Sequence, residues 1–216
     1  MINILYEDNH LLVVEKPINI PVQEDSSKDE DFLTILKKYI KEKYNKPGNV
    51  YLGLVHRLDR PVGGIMVFAR TSKAASRLSK QITNNEFNKI YNAVVVGNID
   101  NCGTLEDKLL KDTKTNIVKV SDEGKLARLK YKKIAYKDNL SLVEIKLETG
   151  RSHQIRVQFS HKGFPLYGDQ KYNKNAHSGE QLALFAKRLE FYHPVTNELL
   201  TFKLDLPNRK PFDIFK

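Results

Sequence analysis

The chain has 216 residues, 40% of them hydrophobic and 29% charged, with 36 lysines and arginines against 26 acids for a net charge of +10. Its single cysteine, Cys102, excludes an intramolecular disulfide and a cysteine-built zinc site, and no apolar run approaches the roughly 18 residues of a membrane span. The start, MINILYEDNH, lacks the basic and then apolar regions of a signal peptide, so a reducing cytoplasm is the expected compartment, and the basic excess favours a polyanionic partner, nucleic acid foremost.

In chain order, Ile2 to Tyr6 and Leu11 to Lys16 predict two strands joined by an Asp-Asn-His turn. Gln23 to Asp31 is polar and acidic and predicts a surface loop. From Glu30 to Tyr44 the residues Leu33, Leu36, Ile40 and Tyr44 recur at helical spacing, Phe32 and Tyr39 widen the stripe, and Pro47-Gly48 ends the helix. Strands follow at Tyr51 to Val55 and Gly64 to Arg70, then a helix capped by Ser72 with Ala75, Leu78 and Ile82 on one face. Phe87 to Gly97 predicts a strand, Gly103 to Tyr136 a set of shorter, strongly charged strands, and Leu140 to Leu147 a half-buried strand with Val143, Ile145 and Leu147 facing inward. Arg151 to His161 predicts a helix with Gly163 at its end, and Leu182 to Phe191 with Leu199 to Leu206 predict a hairpin around His-Pro-Val-Thr-Asn. Many strands with few helices indicate an α+β architecture: a mixed, mainly antiparallel central sheet with flanking helices and loops, as one domain over 1–216 or two lobes sharing one sheet.

The segment VHRLDRPVGGIMVFART, Val55 to Thr71, carries the most information, because it sets Asp59 between Arg57 and Arg60 in a Pro/Gly turn before an apolar strand. A carboxylate at a loop edge beside fixed cations stays ionised and faces a cleft, as a reacting acid does. An isolated Arg-x-Asp-Arg is more often a solvated salt bridge, so the rest of the chain has to decide. Two further segments bear on it: NKIYNAVVVG, Asn88 to Gly97, and TGRSHQIRVQFSHKGFPLYGDQKY, Thr149 to Tyr172.

With these three segments, the opening LYEDNHLLVVEKP and the closing LALFAKRLEFYHP, the sequence resembles the RluA family of RNA pseudouridine synthases over nearly its whole length. The family pattern runs HRLDxxTSG around an essential aspartate and TGRxHQIRxH later. Ordered blocks at plausible separations are far more specific than one motif. Three positions depart from the pattern: Val62-Gly63 replaces Thr-Ser, and Gln158 replaces a histidine. The resemblance implies a central active-site cleft, an RNA substrate (ribosomal or transfer RNA), an isomerase that needs neither metal nor organic cofactor, and a monomer.

Converting uridine to pseudouridine breaks the glycosidic C–N bond, rotates the uracil and rejoins it through C5. The resemblance assigns Asp59 to the ribose, as a nucleophile on C1′ or a base at C2′, Arg151 to holding that carboxylate, and Tyr91 to taking the C5 proton. It leaves His56, Arg57, Arg60, His153, Gln154 and Arg156 as RNA-binding or loop-shaping residues. Read without it, Tyr91 is a core ring with a wet hydroxyl, Arg151 serves a phosphate equally well, and Gly168-Asp169 is a turn. Two other classes compete. A metal-dependent nuclease would use His56, Asp59, His153, His161 and Asp169, but the sequence has no HExxH or similar ligand pair. A non-catalytic RNA-binding protein would need basic and aromatic patches but no Asp, Tyr and Arg from three distant segments.

Overall fold

Among the described residues strands dominate the regular structure, eleven of them against three α-helices. The computed structural model, which describes residues 2–216, orders the elements as β1 (Asn3–Glu7), β2 (Leu11–Lys16), α1 (Phe32–Lys43), β3 (Gly53–Leu54), β4 (Gly63–Ala69), α2 (Ser72–Thr83), β5 (Asn88–Val96), β6 (Cys102–Asp112), β7 (Ile117–Val120), β8 (Lys125–Lys137), β9 (Leu140–Leu147), α3 (Gln154–His161), β10 (Leu184–Tyr192) and β11 (Leu199–Lys203). The architecture is α+β, a mixed, mainly antiparallel sheet with flanking helices. The chain divides into two compact units, Met1–Asn88 with Arg188–Leu204, and Lys89–Lys187 with Asp205–Lys216.

In the first unit β2 pairs antiparallel with β1 and with β4, in a register running from Leu11↔Ala69 to Lys16↔Gly64. Leu11 to Val14 of β2 and all of β4 are unbroken apolar runs, as burial on two faces demands. On one face Val13, Ile65, Val67 and Phe191 pack against Ala74 and Leu78 of α2. The cap of α2 is Thr71, whose hydroxyl accepts the Ala74 N–H at 3.1 Å, one residue before the expected Ser72. Gln81 is buried in the same helix because its amide exchanges two hydrogen bonds, 2.8 and 2.9 Å, with the Tyr192 backbone. The first helix is capped by Asp31, which accepts the Thr34 N–H at 3.0 Å, and buries Phe32, Leu36 and Ile40. Tyr44 was expected on that stripe but is 43% exposed. The helix ends at Lys43, so Tyr44 leaves its face, and its hydroxyl donates to Glu7 at 2.7 Å.

In the second unit the strands run β5-β9-β8-β6-β7, all antiparallel. The charged stretch expected to be short strands forms two long ones, β6 of 11 residues and β8 of 13. Their charges alternate with Leu105 and Leu109, and with Ala127, Leu129 and Tyr131, all buried, so the charges mark the solvent side of an unbroken ladder. β9 spans the predicted residues. Helix α3 starts three residues later than expected, packs Phe159 edge-on to Tyr131 with centroids 5.4 Å apart, and is followed by Gly163 at φ 89°.

Candidate active site

Asp59 sits in the first unit in a turn closed by the Val62 N–H donating to the Asp59 carbonyl at 2.9 Å. Leu58 and Val62, 6% and 1% exposed, anchor the turn on either side. Val62 therefore fills core space at the place where the family pattern has threonine. A Cβ on Gly63 would lie 3.1 Å from Ile18 Cγ2 and 3.2 Å from the Lys16 carbonyl, so the second departure from the family pattern lets β4 lie close against the chain after β2.

The sequence places Asp59 between two arginines, and of these Arg60 has acidic and polar partners elsewhere. Arg60 reaches the acidic loop, donating to the Asn19 carbonyl at 3.2 Å, to Ser27 Oγ at 2.9 Å and to the Asp29 carboxylate. It shapes that loop. Arg57 is exposed. A buried cation that feels the Asp59 charge in this unit is Lys16, which has no solvent exposure and donates to the carbonyls of Pro17 at 2.8 Å and Arg60 at 3.2 Å. Burial pushes its pKa down to about 8, with the Asp59 charge opposing the drop and Arg60 adding to it. His56 is a structural tie: its Nε2 accepts the Val67 N–H at 3.1 Å and its ring lies 5.5 Å from that of Phe87.

Lys16 gives a pH prediction. The folded chain releases this proton near pH 8 while the unfolded chain keeps it to about 10.5, so folding becomes more favourable as pH rises between them. Relative to Lys16→Met, the wild type should gain on the order of 3 kcal/mol across that window. Urea melts of both proteins at several pH values check this, and a difference independent of pH refutes it.

In the second unit Tyr91 lies in β5, 6% exposed, opposite Ile145 of β9. Arg151 follows the Thr149-Gly150 turn. Gln154 builds that turn: its Oε1 accepts the Arg151 N–H at 3.0 Å and the Thr149 hydroxyl at 2.8 Å, and its Nε2 donates to the Arg128 carbonyl at 3.1 Å. Arg151 is exposed, with Nε donating to the Leu126 carbonyl at 2.9 Å. His153 starts α3 from a left-handed conformation, φ 50°, which costs energy for a non-glycine residue and is held by tertiary contacts. The contact here is Tyr172, whose hydroxyl lies 2.6 Å from His153 Nδ1 and accepts the Val118 N–H at 2.9 Å.

Arg156 was a candidate for a phosphate, but only 5% of it is exposed, and it meets the fully buried Asp169 through two hydrogen bonds of 2.8 Å. Its guanidinium also lies over the Tyr172 ring, 5.2 Å from the centroid. Asp169 accepts the N–H groups of Lys171 and Tyr172 as well, so the predicted turn former is the centre of a network that fixes His153 and hence the start of α3. Gln158, the other departure from the family pattern, donates to Asp107 at 2.8 Å and to the Ala127 carbonyl at 3.2 Å, locking α3 to β6 and β8.

Sequence reasoning missed Lys16 and Tyr172. The run LLVVEKP held a weak signal for Lys16, a lysine closing a largely apolar strand, and Tyr172 entered only as the last residue of the third segment. Among the described residues no group of three or more His, Cys, Asp and Glu could hold a metal, and no helix is long and apolar enough to cross a membrane.

Residues 10–161 match the family described as RNA pseudouridylate synthase. The ribosomal large subunit pseudouridine synthase D of Pseudomonas aeruginosa is 32% identical over 222 residues, covering 95% of this chain and 68% of that protein. The namesake from Zymomonas mobilis is 34% identical, covering 95% and 69%, and the uncharacterised RNA pseudouridine synthase YhcT of Bacillus subtilis is 33% identical, again covering 95% and 69%. The fold is that of human RNA pseudouridylate synthase domain containing 4, at TM-score 0.80 and 23% identity over 95% of this chain and 89% of that one. The chain therefore belongs to the RNA pseudouridine synthases of the RluA group, isomerases acting on RNA.

Proposed function

We propose that the protein isomerises uridines of large-subunit ribosomal RNA in the cytoplasm, as a monomer with one catalytic domain spanning 1–216, and that Asp59, Tyr91 and Arg151 carry the chemistry. The observation that supports this most is that all three residues fall within the matched segment 10–161. The ribosomal target rests on the names of relatives such as those from Pseudomonas aeruginosa and Zymomonas mobilis. Asp59 acts at the ribose, attacking C1′ or removing the C2′ proton; Tyr91 stacks on the everted base and takes the C5 proton after the uracil turns. Arg151 supplies a planar, permanently charged group from a turn that Gln154 holds. Exposed Arg57 binds flanking phosphate, while His56, Arg60, His153, Gln154 and Arg156 support the loops.

Mapping pseudouridines at single-nucleotide resolution in cells with and without the gene tests the reading. One or a few sites in large-subunit ribosomal RNA should vanish on deletion and return with the wild-type gene. Loss confined to transfer RNA would overturn the ribosomal assignment.

A further inference from the structure

Lys89 stands two residues before Tyr91 in β5, so strand alternation puts both side chains on one face of the second unit's sheet. Opposite them in β9 stand Leu147 and Ile145, neither able to satisfy a charge. The ammonium extends to the turn that carries Arg151, since a Cβ on Gly150 would sit 3.2 Å from Lys89 Nζ. Burial pushes the Lys89 pKa down, and no acid opposes the shift. Among the described residues, no hydrogen bond or ion pair ends on this ammonium.

The other buried cations are treated differently. Lys16 has two carbonyls, and Arg156 has both oxygens of Asp169. A partly buried cation with no partner in its own chain weakens the fold, and an arriving anion removes that cost. We propose that Lys89 is a substrate-binding residue whose ammonium takes an RNA backbone phosphate beside the target uridine. This rests on Tyr91 meeting the base. Backbone phosphates are the full charges RNA carries before the reaction, and a flexible lysine serves as a point charge for them. Residues i and i+2 of a strand lie about 6.6 Å apart, a spacing of the order of one nucleotide, so a base on Tyr91 brings its own or the adjoining phosphate to Lys89.

The test uses the full chain, Lys89→Met and Lys89→Arg with unmodified large-subunit ribosomal RNA transcribed in vitro. Affinity is measured at several salt concentrations, with single-turnover rates at saturating enzyme and thermal melts. Lys89→Met should melt no lower than the wild type, bind RNA about 10-fold more weakly at low salt, and lower the slope of log affinity against log salt by about 0.7 to 1. Lys89→Arg should recover most of both. Unchanged affinity and slope in Lys89→Met would overturn the proposal. So would weaker binding with an unchanged slope, the mark of a structural role, or a slower rate at saturation with binding intact, the mark of a role at the base. If Lys89→Met does not fold, the proposal stands or falls on Lys89→Arg keeping the wild-type slope. Wild-type protein that binds this RNA but forms no pseudouridine on it would refute the proposed function, and the binding comparison would still decide Lys89.

Discussion

Asp59→Asn should stop pseudouridine formation while leaving RNA binding intact. The substitution keeps the size of the side chain and a carbonyl oxygen, and the turn survives because it is closed by the Asp59 backbone carbonyl and anchored by Leu58 and Val62. What disappears is the negative charge, which both routes at the ribose need. Loss of a group that reacts with substrate lowers turnover by roughly 10⁴-fold or more, whereas affinity for RNA, carried by the basic excess, should stay within a few-fold. Lys16 offers an internal check on the same variant. With the Asp59 charge gone, the one influence that opposes the fall of its pKa is lost, so the Lys16 proton should leave at a pH below about 8. Single-turnover assays and binding curves measure the first effect. Product at a near wild-type rate would remove Asp59 from the chemistry.

How far the sequence revealed this arrangement depended on whether a residue's partners were local. β9 was legible to the residue because Leu140 to Leu147 alternates cleanly, and the centres of both helix stripes, Leu36 and Ile40 in α1 and Leu78 in α2, were legible because apolar spacing follows the helical period. The long β6 and β8 were not, because alternating lysines and glutamates look like interruptions until the buried Leu105, Ala127 and Leu129 are seen to share one face. The start of α3 was misplaced because nothing in Arg-Ser-His announces a left-handed His153, whose conformation is held by a tyrosine 19 residues away. Asp59 could be found from its own segment. Its local cation could not: Lys16 is tied to the Asp59 turn by a bond to a residue 44 positions on, and proximity of that kind leaves no trace in composition or spacing. Arg60 was legible as a loop-shaping residue, but its partner Asp29, 31 positions away, was not.

Asp169→Asn should destabilise the protein more than most single changes, because it takes the counter-charge from the Arg156 guanidinium where only 5% of the residue is exposed. Breaking a buried ion pair from one side costs roughly 3–5 kcal/mol, which for a chain of this length lowers the melting temperature by about 6–20 °C. The asparagine oxygen can still accept the N–H groups of Lys171 and Tyr172, so the turn itself is spared and the loss is electrostatic. Removing the buried positive charge should then repair much of the damage: Arg156→Met combined with Asp169→Asn should melt higher than Asp169→Asn alone, since an apolar side chain suits the site once Asp169 is neutral. The activity of the two variants should separate further. Asp169 steadies Tyr172, Tyr172 contacts His153, and His153 sets the start of α3 just after Arg151, so the double variant regains stability while the Tyr172 ring has lost the guanidinium stacked on it. Thermal and urea melts of the wild type, both single variants and the double one complete the cycle. A double variant that melts lower than Asp169→Asn would show that the buried Arg156 charge without its Asp169 counter-charge is not the source of the instability.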